Sequence, residues 1–258
     1  MPTFRQRLRK YLFLLYFLCA LTVAPVAQAQ SSDYAREKRW ADEITPSLVV
    51  GDATYITQNS GHQFLALYTV PTKARAGVII VHGMGVHPDW NLIGALRAGL
   101  ADHDYATLSV QMPVLAADAK GESYPALFAD AADRLTLAVK FLRDKGHRKV
   151  AIVSHSMGAR MVNHFVASGG AGVIDAWAAV GISTGEFLNP QTFKAPVFDI
   201  YGEKDFPVVL QQATKRADVI RRIRGSGQYQ VPGADHYFNG AEATLVRYVK
   251  LFLDSATK

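Results

Sequence analysis

The sequence predicts an α/β fold: a mostly parallel twisted sheet with helices on both faces and antiparallel strands at its N-terminal edge. Three observations carry this. Runs such as Val78-Ile79-Ile80-Val81 and Val150-Ala151-Ile152-Val153 are apolar throughout, as strands covered on both faces are. Longer stretches between such runs repeat their apolar residues at helical spacing, and strands alternating with helices are the pattern of a parallel sheet. The chain has 258 residues, 49% hydrophobic and 19% charged, which suits one large core and excludes a disordered tail, a collagen-like fibre or a disulfide-stapled miniprotein.

The first 29 residues have the layout of a secretory signal peptide. Arg5, Arg7, Arg9 and Lys10 precede an apolar run from residue 11 to 23, and Ala27-Gln28-Ala29 offers small residues before a cut. An uncleaved anchor is the alternative, but that run is shorter than the roughly 20 residues of a spanning helix, and Pro25 follows it. The expected organisation is therefore signal peptide 1–29 and a single domain 30–258, placed in the periplasm or secreted. Cleavage after Ala29 removes the one cysteine, Cys19, and with it disulfides and thiolate chemistry. It also removes four of the 28 basic residues and none of the 22 acidic ones, so the formal charge falls from +6 to +2. The basic balance is thus no argument for a nucleic-acid partner.

Along the remaining chain, residues 30–45 are polar and read as a loose leader or a short helix at the edge. Residues 48–56 and 64–70 read as edge strands of a hairpin around Asn59-Ser60-Gly61, and 77–81 as a buried strand. A helix over 91–101 is followed by a strand at 106–111. Pro125 stands at the front of a long helical stretch whose Phe128, Leu135, Val139 and Leu142 form one stripe before Gly146. Next come a strand at 150–153, a helix over 157–166, strands at 176–182 and 197–201, a basic helix over 208–222, a short strand at 228–231 and a helix over 241–253. The connection between Ile182 and Pro196 leaves no room for a large lid.

The chemistry concentrates in Ser154-His155-Ser156-Met157-Gly158, between a buried strand and a helix. A serine at such a turn stands above the sheet beside the helix's first free amides, although serines also cap ordinary helices. Asp205 closes Gly202-Glu203-Lys204-Asp205 after one strand, and His236 lies in Pro232-Gly233-Ala234-Asp235-His236 after another. Each alone reads as a turn aspartate or a loop histidine. Glu203 and Asp235 are the competing carboxylates, ranked below Asp205. A fourth segment, His82-Gly83-Met84-Gly85, ends the strand at 77–81.

Together these segments resemble the α/β-hydrolase superfamily: the nucleophile elbow Gly-x-Ser-x-Gly, with Ser154 in place of its first glycine, and the chain order serine, acid, histidine. Finer similarity in 81–90 and 108–113 is to a group of exported bacterial α/β-hydrolase-like proteins of undefined activity. The resemblance implies Ser156 as nucleophile, Asp205 as acid, His236 as base, and the amides of Met84 and Met157 as oxyanion donors, with His82 in a structural role. It implies a serine hydrolase acting through an acyl-enzyme, most simply a carboxylesterase on short or soluble acyl esters. A non-catalytic scaffold on the same fold, a peptidase and a thioesterase are the alternatives.

No cofactor is expected. Gly83-Met84-Gly85 lacks the helix-opening glycine of a dinucleotide site, no phosphate loop occurs, and the histidine spacings fit no metal pattern. The partner expected is a small-molecule substrate, with no nucleic acid and no stable membrane span after signal cleavage. Lys215, Arg216, Arg221, Arg222 and Arg224 read as a solvated helix face, with contact to anionic envelope material as the sharper option.

Overall fold

A computed structural model describes residues 31–184 and 186–258; the signal segment assigned to 1–29, Cys19 included, lies outside the described residues. Eight strands form one sheet: β1 (Asp52–Thr57), β2 (Gln63–Thr69), β3 (Gly77–Val81), β4 (Ala106–Val110), β5 (Val150–His155), β6 (Ala176–Val180), β7 (Val197–Lys204) and β8 (Gly227–Asp235). Their order is β1-β2-β4-β3-β5-β6-β7-β8. β1 and β2 are antiparallel to each other, and β2 is antiparallel to β4; every other pairing is parallel. The order reverses at β3, which is flanked by β4 and β5. Outside the carboxyl ends of strands at such a reversal, open α/β sheets place their ligands.

The unbroken apolar runs follow from two covered faces. Ile79, Val81 and Ile152 point to one side, where α3 (Phe128–Asp144) and α4 (Met157–Ala167) contribute Leu135, Val139, Leu142 and Val162. Val78, Ile80, Ala151 and Val153 point to the other side, against Leu92, Leu96 and Leu100 of α2 (Asn91–Ala101) and Leu245, Val249 and Leu253 of α7 (Glu242–Ala256). Successive strand residues face opposite ways, so burial on both sides requires apolar residues at every position.

Several boundaries depart from the sequence reading for identifiable reasons. β1 begins at Asp52 because β2 offers it partners only as far as Tyr68, and Val49 before it is exposed. β2 is interior to the sheet, not an edge, since its second side pairs with β4. Pro125 belongs to a 3-10 segment, Gly121–Leu127, which leads into α3. The helix expected over 208–222 is two pieces, α5 (Pro207–Gln211) and α6 (Ala213–Ile220). β8 runs four residues further than expected, to Asp235, with an irregularity opposite Gly202 and Lys204. Of the two readings of the polar stretch, loose leader or short helix, the structure has the helix, α1 (Tyr34–Ile44), capped by the Asp33 carboxylate, which accepts from the Arg36 amide.

The basic face assigned to the segment after Asp205 loses one member. Arg216 is buried, donating from Nε to Asp199 Oδ2 at 2.8 Å and from Nη1 to the Val209 carbonyl at 2.8 Å, while Gln228 donates to the same Asp199 oxygen at 2.6 Å. Arg216→Met would leave Asp199 buried without its cation. Such a loss costs about 3–5 kcal/mol, whereas Lys215→Met on the exposed side stays within about 0.5 kcal/mol; urea unfolding of the two variants measures the contrast.

Candidate active site

The carboxyl ends of β3, β5, β7 and β8 bring the predicted residues to one rim. Ser156 sits between the end of β5 and the start of α4 with φ 54° and ψ −119°. A non-glycine residue in that region stores about 1–3 kcal/mol of strain. The turn is held by its own bonds, with the Ser156 amide donating to the Val180 carbonyl at 2.9 Å and the Ala159 amide to the Ser156 carbonyl at 3.0 Å. Helix α4 must then pass close under the end of β3. A Cβ on Gly158 would lie 2.3 Å from the His82 carbonyl oxygen, so this position admits only glycine.

The three side chains are in contact. Ser156 Oγ lies 2.9 Å from His236 Nε2, and His236 Nδ1 lies 2.6 Å from Asp205 Oδ1. An ionised carboxylate only accepts, so Nδ1 carries the ring proton and Nε2 is left to accept from the serine hydroxyl. Asp205 is buried and fixed by two amides, Phe206 at 2.7 Å to Oδ1 and Gly202 at 3.3 Å to Oδ2. The Phe206 ring stacks on the imidazole at 3.9 Å between centroids. The competing carboxylates shape the turns instead. Glu203 accepts from the Gly233 amide at 2.7 Å, and Asp235 accepts from the amides of Tyr237 and Asn239.

Ser154 has its own place. Its buried hydroxyl accepts from the Trp177 indole at 2.8 Å, satisfying a donor inside the core. His155, the second residue of the motif, was given no role in the sequence. It lies beside the His236 ring and donates from Nε2 to the His236 carbonyl at 2.9 Å, tying β5 to the histidine loop. Burial lowers its pKa from 6.5 to about 4, so it stays neutral beside the His236 ring.

His82 is structural, as the resemblance implied. Its Nε2 accepts from the Met112 amide at 2.9 Å, which puts the proton on Nδ1, 2.8 Å from the Gly83 carbonyl. Burial lowers its pKa to about 3. Met84 follows on an exposed turn, and Met157 is the first residue of α4, so its amide has no carbonyl within the helix to bond. The block His87-Pro88-Asp89-Trp90 braces the same loop: Asp89 pairs with buried Arg97 at 2.5 Å, and Ser109 donates to the Pro88 carbonyl at 2.6 Å.

Helix α1 contributes what sequence reasoning dismissed. Arg36 donates to the carbonyls of Leu115 at 2.8 Å and Gly85 at 3.2 Å, gripping the glycine-rich loop from outside. Glu37 is buried against Arg134 at 2.9 Å, and Arg134 also donates to the Gln111 carbonyl at 3.0 Å. Gln111 in turn bonds His82 Nε2 at 3.1 Å. The available signal was the basic and acidic pair at 36–37 on a helix preceded by Asp33, but Leu115 and Arg134, which the pair meets, lie 79 and 97 residues away.

A protein family described only as of unknown function, DUF3530, matches residues 11–130, a span that holds the His82 loop and ends before Ser156. No curated protein matches the chain. Among solved structures, Est1E from Butyrivibrio proteoclasticus is similar at 17% identity, covering 80% of this chain and 99% of its own, with a TM-score of 0.62. An α/β serine hydrolase without lid from Xanthomonas campestris is 12% identical over 80% of this chain and 94% of its own, with a TM-score of 0.64. A dienelactone hydrolase from Anabaena variabilis is 20% identical over 80% and 97%, with a TM-score of 0.63. The fold is that of the α/β-hydrolases. Among the described residues no large lid interrupts the sheet, and the antiparallel strands stand at its N-terminal edge. Among the described residues no helix is long and apolar enough to cross a membrane, and no group of three His, Cys, Asp or Glu could hold a metal ion.

The depressed histidines set an acid limit on stability. Between about pH 6.5 and pH 4 the unfolded chain takes up protons at His82 and His155 that the folded chain refuses. Stability is full above pH 6.5 and declines as pH falls, by up to about 1.4 kcal/mol per pH unit for each histidine. Unfolding free energies across that window should show a shallower acid decline in His155→Gln than in the wild type.

Proposed function

We propose that the protein is an exported serine hydrolase that works through an acyl-enzyme, and that its substrates are carboxylic esters with short or soluble acyl groups. The observation that carries this reading is the unbroken line from hydroxyl to imidazole to carboxylate, with separations of 2.9 and 2.6 Å. In this reading Ser156 attacks the ester carbonyl while His236 takes its proton at Nε2. Asp205 fixes the ring tautomer and stabilises the imidazolium without itself becoming protonated. The oxyanion is received by the amides of Met84 and Met157, each such donor being worth about 3–4 kcal/mol in the transition state. His236 then protonates the departing alcohol, and the same steps with water release the acid and restore the serine. A lidless rim with exposed Met84, Phe206 and Tyr237 favours substrates that reach the site from solvent. The scaffold alternative drew on Ser154, and the bond from Trp177 supplies a structural reason for that serine.

A fluorophosphonate probe should label the folded wild-type chain and leave Ser156→Ala unlabelled. Against a panel of 4-nitrophenyl acyl esters and peptide substrates, Ser156→Ala should lower kcat by at least about 10³-fold. Equal labelling of the two proteins would overturn the assignment of the nucleophile. Turnover confined to peptides would replace the ester reading with a peptidase. The rate should also fall on acidification, because an imidazolium at position 236 cannot accept the serine proton; a flat acid limb would contradict the base role.

A further inference from the structure

Arg160 stands apart from the other arginines packed around this site. Arg36, Arg97 and Arg134 each donate to a carbonyl or a carboxylate. The guanidinium of Arg160 makes no hydrogen bond or ion pair among the described residues, and its Nε is fully buried without an acceptor. What it has is the face of the Phe128 ring, 5.6 Å from the guanidinium carbon to the ring centre, and the more distant field of the exposed Glu122. Burial lowers its pKa, as expected for a cation losing water without gaining a partner.

Its position gives that cation a use. The Arg160 amide donates to the Ser156 carbonyl at 3.3 Å, so the residue lies one helical turn beyond the nucleophile. Residues four apart share a helix face, and side chains lean toward the helix N-terminus, so Arg160 leans toward the end that carries Ser156. The segment facing it also borders the oxyanion residues. A Cβ on Gly121 would lie 3.7 Å from the Met84 sulfur and 3.8 Å from the terminal methyl of Met157, and Glu122 and Phe128 follow in the same stretch. Nucleophile, oxyanion residues and an unpartnered guanidinium thus surround one mouth.

We propose that Arg160 anchors a carboxylate on the substrate, so that the preferred ester is an anionic one whose carboxylate lies a few carbon atoms from the scissile carbonyl. A planar guanidinium with free donors matches a carboxylate in two parallel hydrogen bonds, and a partly desolvated site strengthens both. The proposal rests on the hydrolase reading and adds to it the class of substrate.

The test compares two matched pairs of esters: the 4-nitrophenyl monoester of glutarate against 4-nitrophenyl pentanoate, and 4-acetoxybenzoate against its methyl ester. In wild type the anionic member of at least one pair should have the higher kcat/KM, and Arg160→Gln should lower that anionic-to-neutral ratio at least tenfold. Arg160→Lys should retain part of the preference, and Glu122→Gln should raise it twofold or more by removing a competing charge. Thermal unfolding checks that Arg160→Gln is folded; if it is not, the Lys and Glu122 variants decide. Neutral esters preferred in both pairs, or ratios unmoved by every variant, would overturn the proposal. If no ester is turned over by Ser156, the hydrolase reading falls. Calorimetric titration of glutarate then decides the arginine alone: binding weakened tenfold in Arg160→Gln supports it, and no binding to wild type overturns it.

Discussion

Where helix α4 leaves the Ser156 turn there is no room for a methyl group. Gly158 sits against the carbonyl of His82, and that close approach locks two loops that share no sequence continuity. One carries Ser156, with its backbone forced into a left-handed turn; the other carries Met84 on a glycine-rich bend. Because β3 and β5 are neighbours in the sheet, the two strand ends are already side by side, and the missing side chain brings them the last few ångströms. A similar constraint operates on the acid side. Gly181 takes a φ of 54°, and a Cβ there would stand 3.1 to 3.2 Å from Asp205 and His236. Backbone geometry at two glycines therefore sets the spacing that Ser156, His236 and Asp205 inherit.

Around that centre the polar residues divide by what they hold. His155 fixes the carbonyl of the base, His82 fixes the carbonyl of Gly83, and both are kept neutral by burial. Glu203 and Asp235, carboxylates that might compete for the imidazole, spend their oxygens on backbone amides. Asp205 is left as the carboxylate that meets the imidazole.

The central sheet was readable because burial on both faces writes itself as uninterrupted apolar runs, and the strands around Val78 and Val150 needed no tertiary information to be found. The contact among Ser156, His236 and Asp205 was readable because each follows or ends a strand at the same rim. The remainder depended on partners far along the chain. The role of Ser154 appears only when Trp177 is beside it, and that of His155 only when the His236 carbonyl lies above it. Arg216 looked like surface because its helix is basic, while Asp199, which buries it, sits on a different strand. Helix α1 was misjudged for the same reason: its sequence is polar, and the residues that make Glu37 a core residue come from α3.

That last contact has a consequence for the order of assembly. Glu37 and Arg134 are separated by 97 residues, and Arg36 reaches a carbonyl 79 residues on, so α1 is synthesised well before anything it will grip. Contacts at such distances are made only after the intervening chain has lost most of its freedom. Docking of α1 therefore waits for the chain as far as Arg134, and the glycine-rich loop gains its outer brace only then. A chain that ends before residue 134 has α1 in place but no Arg134 to hold Glu37, so the brace on the loop is completed from the far side of the sheet's first half.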